Sequence, residues 1–134
     1  MKSVRYGVFI ALVVVASLAE LAIAQNPAKP DWRERFRTHD ENGDGKIDRG
    51  EFQNWMVDVF FHRDTNHKGY LVFADIQNSM SLEGFKVRDS NGDGRLTLEE
   101  FLNSLFQDFE AADVNKSGSL SMEEIGNYIK AARK

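Results

Sequence analysis

The sequence has no cysteine. That excludes disulfide staples, even for a chain routed through the secretory pathway, and it excludes a thiol nucleophile. A small domain without staples needs another source of stability, and bound metal is one. No serine stands with histidine and aspartate in a recognisable catalytic motif, so no enzymatic function is expected. The three histidines, His39, His62 and His67, fall outside any regular zinc-ligand spacing and are expected to be solvated. Long aspartate runs of the mineral-templating kind are absent. So is a positive balance: the formal net charge is −4, which disfavours nucleic acid as a partner.

There is also no second long apolar run after the first. Met1 to Ala24 opens with Lys2 and Arg5, continues through an uncharged stretch from Gly7 to Ala19, and ends Ala22-Ile23-Ala24. This is the pattern of a cleaved signal peptide, residues 1–24, and the run is short for a membrane anchor, the alternative reading. The expected mature chain is residues 25–134, one domain, secreted or extracellular (periplasmic if bacterial), with no membrane contact in that form. The end, Ala131-Ala132-Arg133-Lys134, is not a retention signal for the endoplasmic reticulum.

What is present is repetition. Asp40, Asp64, Asp89 and Asp113 each open a twelve-residue segment, namely residues 40–51, 64–75, 89–100 and 113–124. Four residues before each lies Phe36, Phe60, Phe85 or Phe109. Each sixth position is glycine (Gly45, Gly69, Gly94, Gly118), and each eighth is aliphatic (Ile47, Leu71, Leu96, Leu120). After the segments come Phe52, Ile76, Phe101 and Ile125, then Met56, Met80, Leu105 and Ile129. The flanking apolar residues recur at helical spacing, and the segments between are rich in Asp, Asn and Gly. Helices therefore alternate with loops, and the apolar positions are core.

The first segment, D-E-N-G-D-G-K-I-D-R-G-E, resembles the EF-hand calcium loop. Calcium takes six to eight oxygens. The resemblance implies ligands from Asp40, Asn42, Asp44, the Lys46 carbonyl, Asp48 (directly or through water) and Glu51. Gly45 supplies the sharp turn. The third segment offers Asp89, Asn91, Asp93, the Arg95 carbonyl, Thr97 and Glu100. The fourth offers Asp113, Asn115, Ser117, the Ser119 carbonyl, Ser121 and Glu124. The second departs from the pattern: Lys68 brings an ammonium to position 5, Val72 has no donor at position 9, and Asp75 is a methylene short of glutamate at position 12. Three calcium sites are expected, with loop 64–75 empty and Lys68 a candidate stand-in for the ion. Counting carboxylates ranks the loops first, third, fourth.

The expected fold is all-α, an EF-hand bundle of about five helices with short two-stranded bridges between calcium loops. One helix separates consecutive loops, so the chain should zigzag, pairing Ile47 with Leu96 and Leu71 with Leu120. Gly84, inside the third helix, is a point at which it could bend or break and restore neighbour pairing; pairing between two chains is the other alternative. Asn115-Lys116-Ser117 is a glycosylation sequon, read as incidental. Arg33, Arg35 and Arg37 read as a solvated helix face. The expected function is an extracellular structural, matrix or buffering calcium binder, with a protein or matrix partner possible. The alternative is a sensor that exposes a groove lined by Met56, Met80 and Met122.

Overall fold

The computed structural model describes residues 32–132, so the expected signal peptide, residues 1–24, lies outside the described residues. In chain order the elements are α1 (Trp32–His39), β1 (Lys46–Asp48), α2 (Arg49–Arg63), β2 (Tyr70–Leu71), α3 (Phe73–Ile76), α4 (Leu82–Arg88), β3 (Leu96–Thr97), α5 (Leu98–Ala112), β4 (Ser119–Ser121) and α6 (Met122–Ala132). Six helices stand among the described residues where five were expected, because the third is two.

Each loop starts its own exit helix. Asp48 and Thr97, at position 9, are N-caps, and Glu51 and Glu100, three residues on, complete capping boxes. Ser121 and Glu124 make the same exchange before α6: the Ser121 hydroxyl accepts from the Glu124 N–H at 3.2 Å, and Glu124 accepts from the Ser121 N–H at 2.9 Å. Val72 has no side-chain oxygen to offer, and the helix behind it, α3, lasts four residues.

The break falls over residues 77–81. Ser81, extended at φ −73° and ψ 159°, caps α4 through its hydroxyl, which accepts from the Gly84 N–H at 3.1 Å. The Arg63 guanidinium donates to the Ser79 hydroxyl at 3.1 Å, both residues buried, and holds the turn against the end of α2. Gly84 is not the breaking residue. It sits in the first turn of α4, where a Cβ would lie 3.2 Å from Met80 Cγ and 3.3 Å from Ser81 Oγ. Its bare backbone allows the turn to close tightly on the helix it precedes.

That turn corrects the expected pairing. With α3 and α4 doubling back, α2 and α5, each 15 residues and roughly 22 Å long, lie antiparallel. Phe52 at the start of α2 packs on Phe109 near the end of α5 (centroids 5.0 Å apart), and Phe60 near the end of α2 packs on Phe101 near the start of α5 (5.5 Å). The second and third loops therefore meet at one end, where Leu71 pairs with Leu96 and Tyr70 with Thr97. The first and fourth meet at the other, where Ile47 pairs with Leu120, Lys46 with Ser121 and Asp48 with Ser119. The zigzag required an unbroken third helix.

All sixteen apolar repeat positions are buried; the rest of the enclosed core is Trp55, Val59 and Ala112. A buried ion pair binds the last helices together. Arg88 Nη2 on α4 lies 2.7 Å from Asp108 Oδ2 on α5, and the Tyr128 hydroxyl on α6 donates to Asp108 Oδ1 at 3.5 Å. Burial pushes the Asp108 carboxyl up to about 6, although Arg88 and Tyr128 both pull it down.

Candidate metal centre

The four loops share one hydrogen-bonded frame. In each, the opening aspartate accepts two loop N–H groups, from positions 5 and 6. Asp40 takes those of Asp44 (3.0 Å) and Gly45 (2.8 Å), and Asp64 those of Lys68 (2.9 Å) and Gly69 (2.7 Å). Asp89 takes those of Asp93 (3.2 Å) and Gly94 (2.8 Å), and Asp113 those of Ser117 (3.0 Å) and Gly118 (2.8 Å). These bonds curl the backbone around the carboxylate, and the curl requires the left-handed φ of +76° to +82° at the sixth-position glycines.

The remaining donors are oriented the same way. The position-3 amide oxygens of Asn42, Asn91 and Asn115 each accept the position-5 N–H at 2.9 to 3.0 Å. Asp44 and Asp93 accept the N–H of Lys46 and Arg95. Glu51, Glu100 and Glu124 each accept the N–H of position 9 with one oxygen. The other oxygen turns back into the loop, towards the Asn42 N–H (3.2 Å), the Ser90 N–H (3.1 Å) and the Asn115 N–H (3.4 Å) respectively. Position 9 is partly spent: Asp48, Thr97 and Ser121 each use an oxygen to cap a helix.

Among the described residues no three His, Cys, Asp or Glu side chains form a ready cluster. The ring in the first, third and fourth loops is instead mixed, with carboxylate, amide or hydroxyl, and backbone carbonyl oxygens, all hard donors. That set fits calcium and is poor for zinc, which prefers nitrogen and sulfur. Hydrogen bonding favours the ionised form of two of these acids, Asp113 and Glu100. Burial raises Asp113, but the Gly118 and Ser117 N–H groups and the Lys116 charge outweigh it, leaving its carboxyl below the usual value. Bonds led by the Thr97 N–H lower Glu100, against the opposing effect of burial.

The second loop keeps the frame and fills it differently. Lys68 Nζ lies 3.0 Å from Asp75 Oδ2 and 3.9 Å from Asp64 Oδ1, between the first and last acids of its loop. Asp64 is 1% exposed. Burial raises its carboxyl, yet the Lys68 and Gly69 N–H groups and the Lys68 charge bring it below the ordinary value.

Sequence reasoning missed position 4, where Gly43, His67, Gly92 and Lys116 are also left-handed, at φ 69°, 51°, 70° and 59°. The two glycines were the available signal; His67 and Lys116 hid it. Two surface expectations are corrected. Arg35 is buried, 2% exposed, and burial lowers its pKa to about 10, while Arg33 and Arg37 are exposed as expected. His39 is not a solvated ring: it stacks on Trp55 at 4.4 Å and 14°, and burial lowers its pKa.

Two family models cover this frame. Residues 29–105, holding the first three loops, match an EF-hand domain pair, and residues 106–129, holding the fourth, match an EF hand. No curated protein matches the chain.

Proposed function

Because the chain belongs to the EF-hand calcium-binding superfamily, we propose that it is an exported calcium binder with three competent loops and one lysine-filled loop, serving a structural or buffering role outside the cell. Calcium binding is the property its family carries, and the family is typically non-enzymatic. The count of three rests on one observation: loops 40–51, 89–100 and 113–124 present oxygen at positions 1, 3, 5 and 12 in the same frame, whereas in 64–75 an ammonium lies against both terminal acids. Asp40, Asn42, Asp44, the Lys46 carbonyl and Glu51 would hold the first ion. Asp89, Asn91, Asp93, the Arg95 carbonyl and Glu100 would hold the second. Asp113, Asn115, Ser117, the Ser119 carbonyl and Glu124 would hold the third. Bound calcium supplies positive charge that ties each loop's start to the head of its exit helix.

The signal-peptide pattern supports export, and weak sites suffice where calcium is millimolar. Met56 and Met80 are enclosed in the core and Met122 is half-buried against it. Calorimetric titration of the purified protein should give three sites. Glu51→Gln, Glu100→Gln and Glu124→Gln should each remove one, with Glu51→Gln losing the tightest. Four sites in the wild type, or equal losses in all three variants, would refute the count or the ranking.

A further inference from the structure

We propose that Lys68 is a tethered cation that keeps the second and third loops docked without calcium, leaving the first and fourth as the end that assembles in response to it. The inference rests on the calcium-binding reading above and adds an asymmetry to it.

The second loop is folded as a complete loop. Asp64 collects the Lys68 and Gly69 N–H groups, and His67 and Gly69 adopt the left-handed backbone that the other loops show at positions 4 and 6. Its own ammonium offsets one of the two carboxylate charges, lying 3.0 Å from Asp75 and 3.9 Å from Asp64. A covalently attached cation cannot be chelated away, so this loop holds its charge balance at every calcium concentration.

Its effect reaches the third loop by two contacts. Leu71 and Leu96 are direct partners in the bridge, both 0% exposed. Tyr70, half-buried, carries the Arg95 guanidinium of the third loop over its ring at 4.7 Å and Lys68 Nζ at 5.7 Å. One ring thus joins the lysine to the chain segment that presents the Arg95 carbonyl ligand. A loop already docked in its binding shape pays less ordering cost on taking its ion.

The opposite end carries its cation outside the loop rings: Arg49 pairs with Glu110 at 3.1 Å, both side chains more than half exposed, where water and salt screen the pair. The Ile47–Leu120 bridge joins a loop with Asp40, Asp44, Asp48 and Glu51 to a loop with Asp113 and Glu124. Lys116 donates to the Glu110 carbonyl at 2.8 Å and acts on Asp113 through its charge alone, and Lys46 is exposed. Without a divalent ion these carboxylates repel one another, so the pairing of the first and fourth loops depends on calcium.

Amide hydrogen exchange on the purified protein, in chelator and in millimolar calcium, tests this. Leu71 and Leu96 should be protected in both conditions, and Ile47 and Leu120 in calcium alone. Lys68→Met should abolish the protection at Leu71 and Leu96 in chelator and weaken the third loop's calcium affinity about tenfold. Lys68→Arg, which keeps the cation, should retain both properties. Equal calcium dependence at the two ends, or a Lys68→Met protein that exchanges like the wild type in chelator, would overturn the proposal. A wild type that takes up no calcium would instead overturn the reading beneath it.

Discussion

Truncating Ile47 and Leu120 to alanine, singly and together, tests the antiparallel arrangement that the turn at residues 77–81 imposes. Both side chains are 0% exposed and their Cα atoms are direct partners across β1 and β4. Each truncation alone should cost about 2–5 kcal/mol, from lost burial plus the cavity left behind. Two independent losses near the middle of that range would total about 7 kcal/mol, comparable with the whole stability of a typical domain, about 5–15 kcal/mol. The cycle is therefore best run in calcium at a hundredfold over Kd, which adds about 2.7 kcal/mol for a single site. If the side chains share one packing site, the first truncation loosens the second, and the double variant should cost less than the sum by about 0.5–3 kcal/mol. Ile47→Ala with Leu96→Ala, whose residues lie at opposite ends of the bundle, should add to within about 0.5 kcal/mol. Urea unfolding with constant slopes gives each value. Additivity for 47 with 120, together with coupling of 47 with 96, would refute the antiparallel order and restore the zigzag.

Two further predictions concern buried charge. Asp108→Ala removes the carboxylate that faces the buried Arg88 guanidinium and should cost about 3–5 kcal/mol, whereas Asp108→Asn, which keeps an acceptor for Arg88, should cost much less; equal costs by thermal or urea unfolding would refute this. The pH profile should carry two opposite signatures in chelator. Asp108 holds its proton up to about 6 in the folded protein against an ordinary 3.8, so its contribution to stability falls as pH rises through that window and is flat above it. Asp64 is shifted downward, so its contribution is present above the ordinary carboxyl value and is lost as pH falls below it. Asp108→Asn should remove the first slope and Asp64→Asn the second, and a difference profile of the reverse sign would refute the assignment.

Much of the fold was legible because a fourfold repeat states its core four times. Every phenylalanine four residues ahead of a loop, and every aliphatic residue at position 8, is buried. The loops were legible because glycine at position 6 and oxygen at alternate positions answer to local backbone geometry. The turn at residues 77–81 was not: Ser79 and Ser81 look like ordinary polar helix residues until the Arg63 guanidinium and the Gly84 N–H meet them. Gly84 drew attention as the weak helix former, but the break was decided by a cap three residues earlier. Arg35 and His39 were misjudged for the same reason, since only packing against other elements shows which face of a short helix is enclosed.

Taken by itself, the chain's order of residues settled the number of loops and the apolar positions that form the interior, because those follow from spacings of a few residues. Tertiary structure decided which loops face each other and placed Lys68 against Asp64 and Asp75. Pairing depends on the direction in which two 15-residue helices run, and one five-residue turn reverses that direction with little trace in local periodicity.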